Sequence, residues 1–112
     1  MPGIDFAVRV EEKDGNTALR MSGDVNRSAQ EKLEAAYAET SGSPVVLDFS
    51  DVDYINSTGI AVIVGLLAKA RAAGREVRAF GLTDHYRQIF QITRIADFMA
   101  IYEDEHAAVA AG

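Results

Sequence analysis

At 112 residues, 48% hydrophobic and 25% charged, the chain is long enough for one compact domain over residues 1–112 and too short for two. Its net charge of −6 disfavours nucleic acid and anionic membranes as partners, because both are bound through clustered Lys and Arg. With no cysteine, no signal-peptide pattern at Met1-Pro2-Gly3-Ile4 and no apolar run long enough to span a bilayer, a cytoplasmic protein without disulfides or thiolate metal sites is expected.

Ile4, Phe6, Val8 and Val10 alternate with Asp5, Ala7, Arg9 and Glu11, the period-two pattern of a half-buried strand. Lys13-Asp14-Gly15-Asn16 follows, and Asp-Gly is a strong hairpin signal. Leu19 and Met21 continue the alternation on a returning strand, and Gly23-Asp24-Val25-Asn26-Arg27 is expected to turn out of it. Ser28 and Glu31 have the spacing of a capping box. Behind them Leu33, Ala36, Tyr37 and Thr40 share one face of an amphipathic surface helix, which Ser41-Gly42-Ser43-Pro44 ends.

Val45 to Phe49 reads as a central strand buried on both faces. A short acidic loop, Ser50 to Ile55, is expected next. Ser57 and Thr58 then open a helix running roughly from Thr58 to Ala73. It is apolar on nearly every side until Lys69, too apolar for a surface element, with Gly74 where a C-terminal cap belongs. Glu76 to Leu82 is a further strand, and Asp84 to Thr93 a helix turning Tyr86, Ile89 and Phe90 inward. Phe98 to Tyr102 makes a last strand and Asp104 to Ala111 a short helix. Strands and helices alternate after the hairpin. The class is therefore α/β: a mostly parallel sheet of about five strands with an opening antiparallel hairpin, right-handed crossovers and about four helices.

Chemistry concentrates at Ser57 and Thr58. Hydroxyls are common at helix starts, where they cap free N–H groups. They also stand at the positive end of the helix dipole, where an added phosphate is stabilised. That combination suggests a switch rather than a catalyst. Gly59 lets the first helical turn approach a neighbouring backbone or a partner closely. Asp48, Asp51 and Asp53 are the best candidates for magnesium, but they read as solvated loop acids, except Asp48, which lies in a strand and needs a hydrogen bond. His85 and His106 are not at ligand spacing, and the chain has no Gly-x-x-x-x-Gly-Lys-(Ser or Thr) loop. No metal, no cofactor and no enzymatic activity are expected.

The segment Asp51-Val52-Asp53-Tyr54-Ile55-Asn56-Ser57-Thr58-Gly59-Ile60-Ala61-Val62-Ile63 resembles the hallmark of the STAS family, the bacterial anti-sigma factor antagonists. Its usual form there is Asp-Ser-(Ser or Thr)-Gly-(Leu or Ile)-Gly-Val. Gly23-Asp24-Val25-Asn26 is similar to the family's Gly-Glu-Leu-Asp turn. Ile89-Phe90-Gln91-Ile92-Thr93-Arg94-Ile95 resembles its (Leu or Ile)-Phe-x-(Leu, Ile or Met)-(Ser or Thr)-Gly-Leu segment. The resemblance covers almost the whole chain and implies a STAS fold.

It further implies that Ser57 is a phosphoacceptor, with Thr58 the second choice. The partner would be an anti-sigma factor with serine kinase activity. Binding it frees the sigma factor, phosphorylation ends the binding, and a protein phosphatase resets the cycle. The partner surface would comprise Asp24, Asn26, Arg27, Asp53, Asn56, Ser57, Thr58, Gly59 and Ile60. Asn56 and Asn26 depart from the family pattern, which commonly has aspartate at both positions. They leave open an alternative role, as a non-phosphorylated STAS interaction subunit of a lipid-transport or stress-signalling complex.

Overall fold

The computed structural model describes residues 4–13 and 15–111. In chain order the elements are β1 (Ala7–Lys13), β2 (Asn16–Val25), α1 (Ala29–Ala38), β3 (Val45–Ile55), α2 (Ser57–Ala72) and β4 (Val77–Phe80). They continue with α3 (Asp84–Ile92), a 3-10 turn (Ile95–Asp97), β5 (Ala100–Tyr102) and α4 (Glu105–Ala110). One sheet runs in the order β1-β2-β3-β4-β5, with β1 antiparallel to β2 and every later pair parallel. This is the expected α/β class with its opening hairpin. Of the expected hairpin turn, Asp14 lies outside the described residues. Gly15 has φ +80° and Lys13 faces Asn16 across the ladder, as a two-residue turn requires.

Helices α1, α2 and α3 cover one face of the sheet. Leu33, Ile63, Leu67 and Phe90 are buried there against Leu19, Met21, Leu47 and Phe49, and the Phe49 and Phe90 rings meet edge to face at 6.0 Å. On the opposite face Ala18, Val46 and Phe80 pack under Ala108 of α4. Strand β3 is therefore central and buried on both faces over Val45–Phe49, which explains its unbroken apolar run.

Several expectations are corrected. Neither Gly23–Val25 nor the acidic stretch after Phe49 is a loop, because the β2–β3 ladder continues through Gly23↔Val52 after one register shift and through Asp24↔Tyr54 and Val25↔Ile55 after a second. Backbone pairing holds this acidic strand while Asp51 and Asp53 stay exposed. Ser28 forms no capping box: its own backbone is helical, and its hydroxyl donates to Asn26 Oδ1 at 2.6 Å. Thr40 lies beyond the end of α1. Phe98 precedes β5 instead of opening it and is 52% exposed. Finally, α2 is a surface helix. It buries Gly59, Ile63, Leu66, Leu67 and Ala70, but leaves Ala61, Val64, Gly65 and Ala68 facing out.

Asp48 finds the hydrogen bonds that its strand position demands. Its Oδ2 accepts from Arg20 at 3.0 Å and its Oδ1 from the Ser50 N–H at 2.8 Å. Arg20 also bonds Glu11 at 2.9 Å and Glu105 at 2.6 Å, tying α4 to the sheet. The hydrogen bond from Arg20 holds the Glu11 carboxyl below its usual value, and the bond from Arg78 does the same for Glu76. Both groups therefore stay ionised in the folded chain at a pH where the unfolded chain protonates them. Their contribution is complete above the ordinary value of 4.5 and is lost as pH falls through the lowered folded values. Thermal melts should accordingly keep a level midpoint from pH 8 to about 5 and fall below about pH 4. A midpoint unchanged at pH 3 would show that these pairs add nothing.

Arg94 adopts φ 68°, ψ 12°, the left-handed region, at the N-cap of the 3-10 turn. It is the only non-glycine residue with positive φ among the described residues. A side chain there costs about 1–2 kcal/mol. Its ion pair with Asp97, at 2.6 Å, is largely exposed and offsets little of that cost. Arg94→Gly should therefore stabilise the fold by about 1 kcal/mol and raise the melting midpoint by several degrees.

Candidate functional site

Three segments converge where β2 and β3 end and α2 begins. The Val25 carbonyl, the last of β2, accepts from the Asn56 N–H at 3.2 Å. Gly59, in the first turn of α2, lies against the same carbonyl, so closely that a Cβ on it would sit 2.6 Å from the Val25 carbonyl carbon. From α3, the Tyr86 hydroxyl accepts from the Ile55 N–H at 2.9 Å. That anchor was not foreseen: the helical pattern turned Tyr86 inward, but an inward tyrosine needs a polar partner for its hydroxyl. These contacts fix the angle at which the helix leaves the sheet.

Asn56 is the helix cap. It is extended (φ −91°, ψ 179°), and its Oδ1 accepts from the Gly59 N–H at 2.8 Å while its carbonyl accepts from the Ile60 N–H at 2.9 Å. The capping task expected of a hydroxyl is thus done by an amide. Ser57 is the first helical residue and Thr58 the second; both are exposed. No hydrogen bond engages either hydroxyl among the described residues. No base is bonded to the Ser57 hydroxyl among the described residues. That hydroxyl is open to a group delivered from outside, beside N–H groups at the free end of the helix.

Most of the residues named above for a partner surface lie around this junction. Arg27 and Asp53 are exposed beside Ser57 and Thr58 in the accessible set, and Asn26, Asn56 and Ile60 are half-buried. Asp24 and Gly59 are corrections: both are buried and shape the site from beneath. The Asp24 carboxylate is only 3% exposed and accepts from the Ile4 N–H at 3.2 Å, holding the incoming chain against the end of β2. Asp24 is buried at the end of β2, where its N–H also donates to the Ile4 carbonyl at 3.0 Å. Between α1 and α2 a groove of about 280 Å³ begins at Arg27 and Thr58 and runs along Leu33, Val62 and Leu66 to Lys69.

Asp48 is committed to Arg20, and Asp51 and Asp53 point to solvent. No group of three or more His, Cys, Asp or Glu able to hold a metal occurs among the described residues. His85 and His106 are exposed, with the His85 ring edge-on to Tyr86 at 5.0 Å. Among the described residues no helix is long and apolar enough to cross a membrane.

Comparison with known proteins adds four findings. A family model described as "Mlab, STAS domain" matches residues 8–101. The anti-sigma-B factor antagonist of Listeria monocytogenes is 26% identical over 102 residues, covering 88% of this chain and 90% of that protein. BtrV of Bordetella bronchiseptica, named as a proposed anti-sigma factor antagonist, is 31% identical over 101 residues, 88% of this chain and 87% of its own. Among solved structures, an anti-sigma factor antagonist from Mycobacterium paratuberculosis superposes with a TM-score of 0.72 at 25% identity. That match covers 94% of this chain and 92% of the other.

Proposed function

Because this chain belongs to the STAS domain family, we propose that it is an anti-sigma factor antagonist, switched off by phosphorylation at Ser57. In its unmodified form it binds an anti-sigma factor that carries serine kinase activity, and so releases the sigma factor. The kinase transfers phosphate to the Ser57 hydroxyl, the complex dissociates, and a protein phosphatase restores the binding form. The chain is the substrate in this cycle and catalyses no step of it.

The observation that carries this reading is the exposed, unbonded Ser57 hydroxyl at the first position of α2. Asn56 caps the helix, so modifying Ser57 removes no contact of the fold. A phosphoserine brings about −1.5 to −2 charges, which the helix start accepts locally but an occupied interface does not. The names of the relatives from Listeria monocytogenes and Mycobacterium paratuberculosis support the same role.

A second reading, a constitutive interaction subunit of a lipid-transport or stress-signalling complex, is favoured by one detail. Asn56 places an amide, committed to Gly59, where the family pattern has a carboxylate beside the acceptor. Phosphopeptide mass spectrometry separates the two readings, after incubation with host lysate, ATP and magnesium. Phosphate on Ser57, absent from Ser57→Ala, supports the switch; no phosphate in the presence of a demonstrably active kinase favours the constitutive subunit.

A further inference from the structure

At the other end of α2 from Ser57 lies a second surface. A slot of about 270 Å³ runs between α2 and the turn after α3, walled by Val64, Leu67, Ala68, Ile95 and Phe98. Val64 is 45% exposed and Phe98 52%, and Ile92, next in the chain to the lining residue Thr93, is 77% exposed. These are three of the five large hydrophobic side chains exposed among the described residues, gathered in one region. A concentration of that kind marks a contact surface more often than scattered apolar residues do.

The rim of the slot is cationic although the chain carries a net charge of −6. Arg71 lies over the Phe98 ring at 5.0 Å and forms no ion pair among the described residues. Arg94 gives only its Nε to Asp97, leaving the rest of its guanidinium free to donate. Arg94 also occupies the left-handed conformation, where glycine would cost the fold less. A side chain at a strained position on the edge of a slot is accounted for when that side chain has a ligand.

From this charge complementarity we infer that the slot is a docking site for an acidic amphipathic helix of a partner protein. The slot has room for about two leucine-sized side chains, which a helix presents one turn apart. Carboxylates flanking them pair with Arg71 and Arg94, whose planar forks suit carboxylate geometry. Exposed Ile92 lies outside the slot, next in the chain to the lining residue Thr93, where a helix reaches further than a small molecule. Arg71 stands fourteen positions beyond Ser57 on α2, about 21 Å along the axis, so this site is independent of phosphorylation at Ser57.

The test is an NMR titration of the full chain with a blocked, alanine-based helical peptide that carries two leucines one turn apart, flanked by glutamates. A counterpart peptide has lysine at every glutamate. The glutamate peptide should shift the amide signals of Val64, Ala68, Ile95 and Phe98 and bind at least about tenfold tighter than the lysine peptide. Arg94→Gly should weaken binding while raising the melting midpoint, which separates lost recognition from lost folding. Ser57→Asp should leave peptide affinity unchanged. Equal binding of the two peptides, no shifts at these residues at millimolar peptide, or an Arg94→Gly variant that binds as well as the parent would overturn the assignment.

Discussion

On the proposed switch, Ser57→Asp should weaken binding to the anti-sigma factor kinase about a hundredfold, a cost of roughly 3 kcal/mol, with almost no change in stability. The asymmetry follows from where the charge is placed. In the free protein a carboxylate at the first position of α2 meets the positive end of the helix, an interaction worth a few tenths of a kcal/mol in its favour. Asn56 keeps its bond to the Gly59 N–H, so the helix start holds. The melting midpoint should stay within about 2 °C of the parent. In the complex the same charge must lose water and face whatever the partner presents. Calorimetric titration reads the affinity and a thermal melt reads the fold. Undiminished affinity for the kinase would exclude Ser57 as the switch. Ser57→Ala should bind as the parent does and accept no phosphate.

Gly59→Ala should destabilise the protein by at least about 3 kcal/mol and remove partner binding with it. A methyl group at Gly59 would overlap the Val25 carbonyl, 2.6 Å from its carbon and 3.2 Å from the following Asn26 nitrogen. These are backbone atoms of a strand end and cannot swing aside as a side chain would. Helix α2 must lift from the sheet, stretching the Asn56 N–H to Val25 bond and opening the packing of Ile63 and Leu67 behind it. A chemical denaturation series measures the loss. If stability falls by less than about 1 kcal/mol, the helix start has freedom to move and the close contact is not what positions Ser57.

The two variants divide the segment Asn56–Gly59 into distinct duties that its residue types alone leave mixed. Two hydroxyls at a helix start suggest caps, and the helix does have a polar cap, but it is Asn56. Asparagine and aspartate cap about equally well, so the departure from the usual aspartate costs the fold little. What changes is the chemistry beside Ser57, where an amide replaces a carboxylate. Arg94 tells a parallel story. Its place in the family-like segment Ile89–Ile95 is visible in the sequence, whereas its positive φ and its position on the slot rim are not.

By itself the sequence determined the order of elements, the opening hairpin, the double-sided burial of Val45–Phe49 and the glycine exit of α2. Each is written locally. Alternation reports a strand with one wet face, an unbroken apolar run a strand with none, and Gly74, with φ +71°, a chain leaving a helix through a conformation glycine favours. Tertiary structure alone decided that the acidic stretch Asp51–Ile55 is strand, because pairing with β2 across two register shifts outweighs poor local propensity. It also decided that Asp24 points inward, that Asp48 pairs with Arg20, and that Gly59 is pressed against Val25. The exposed apolar face of α2 belongs to the same group, since a helix with no charge before Lys69 reads as buried until its neighbours are known. These features depend on contacts between residues 20 or more apart in the chain, as in Ile4–Asp24, Arg20–Asp48 and Ile55–Tyr86. A local pattern can show that such a group needs a partner, but only the packed sheet brings the partner to it.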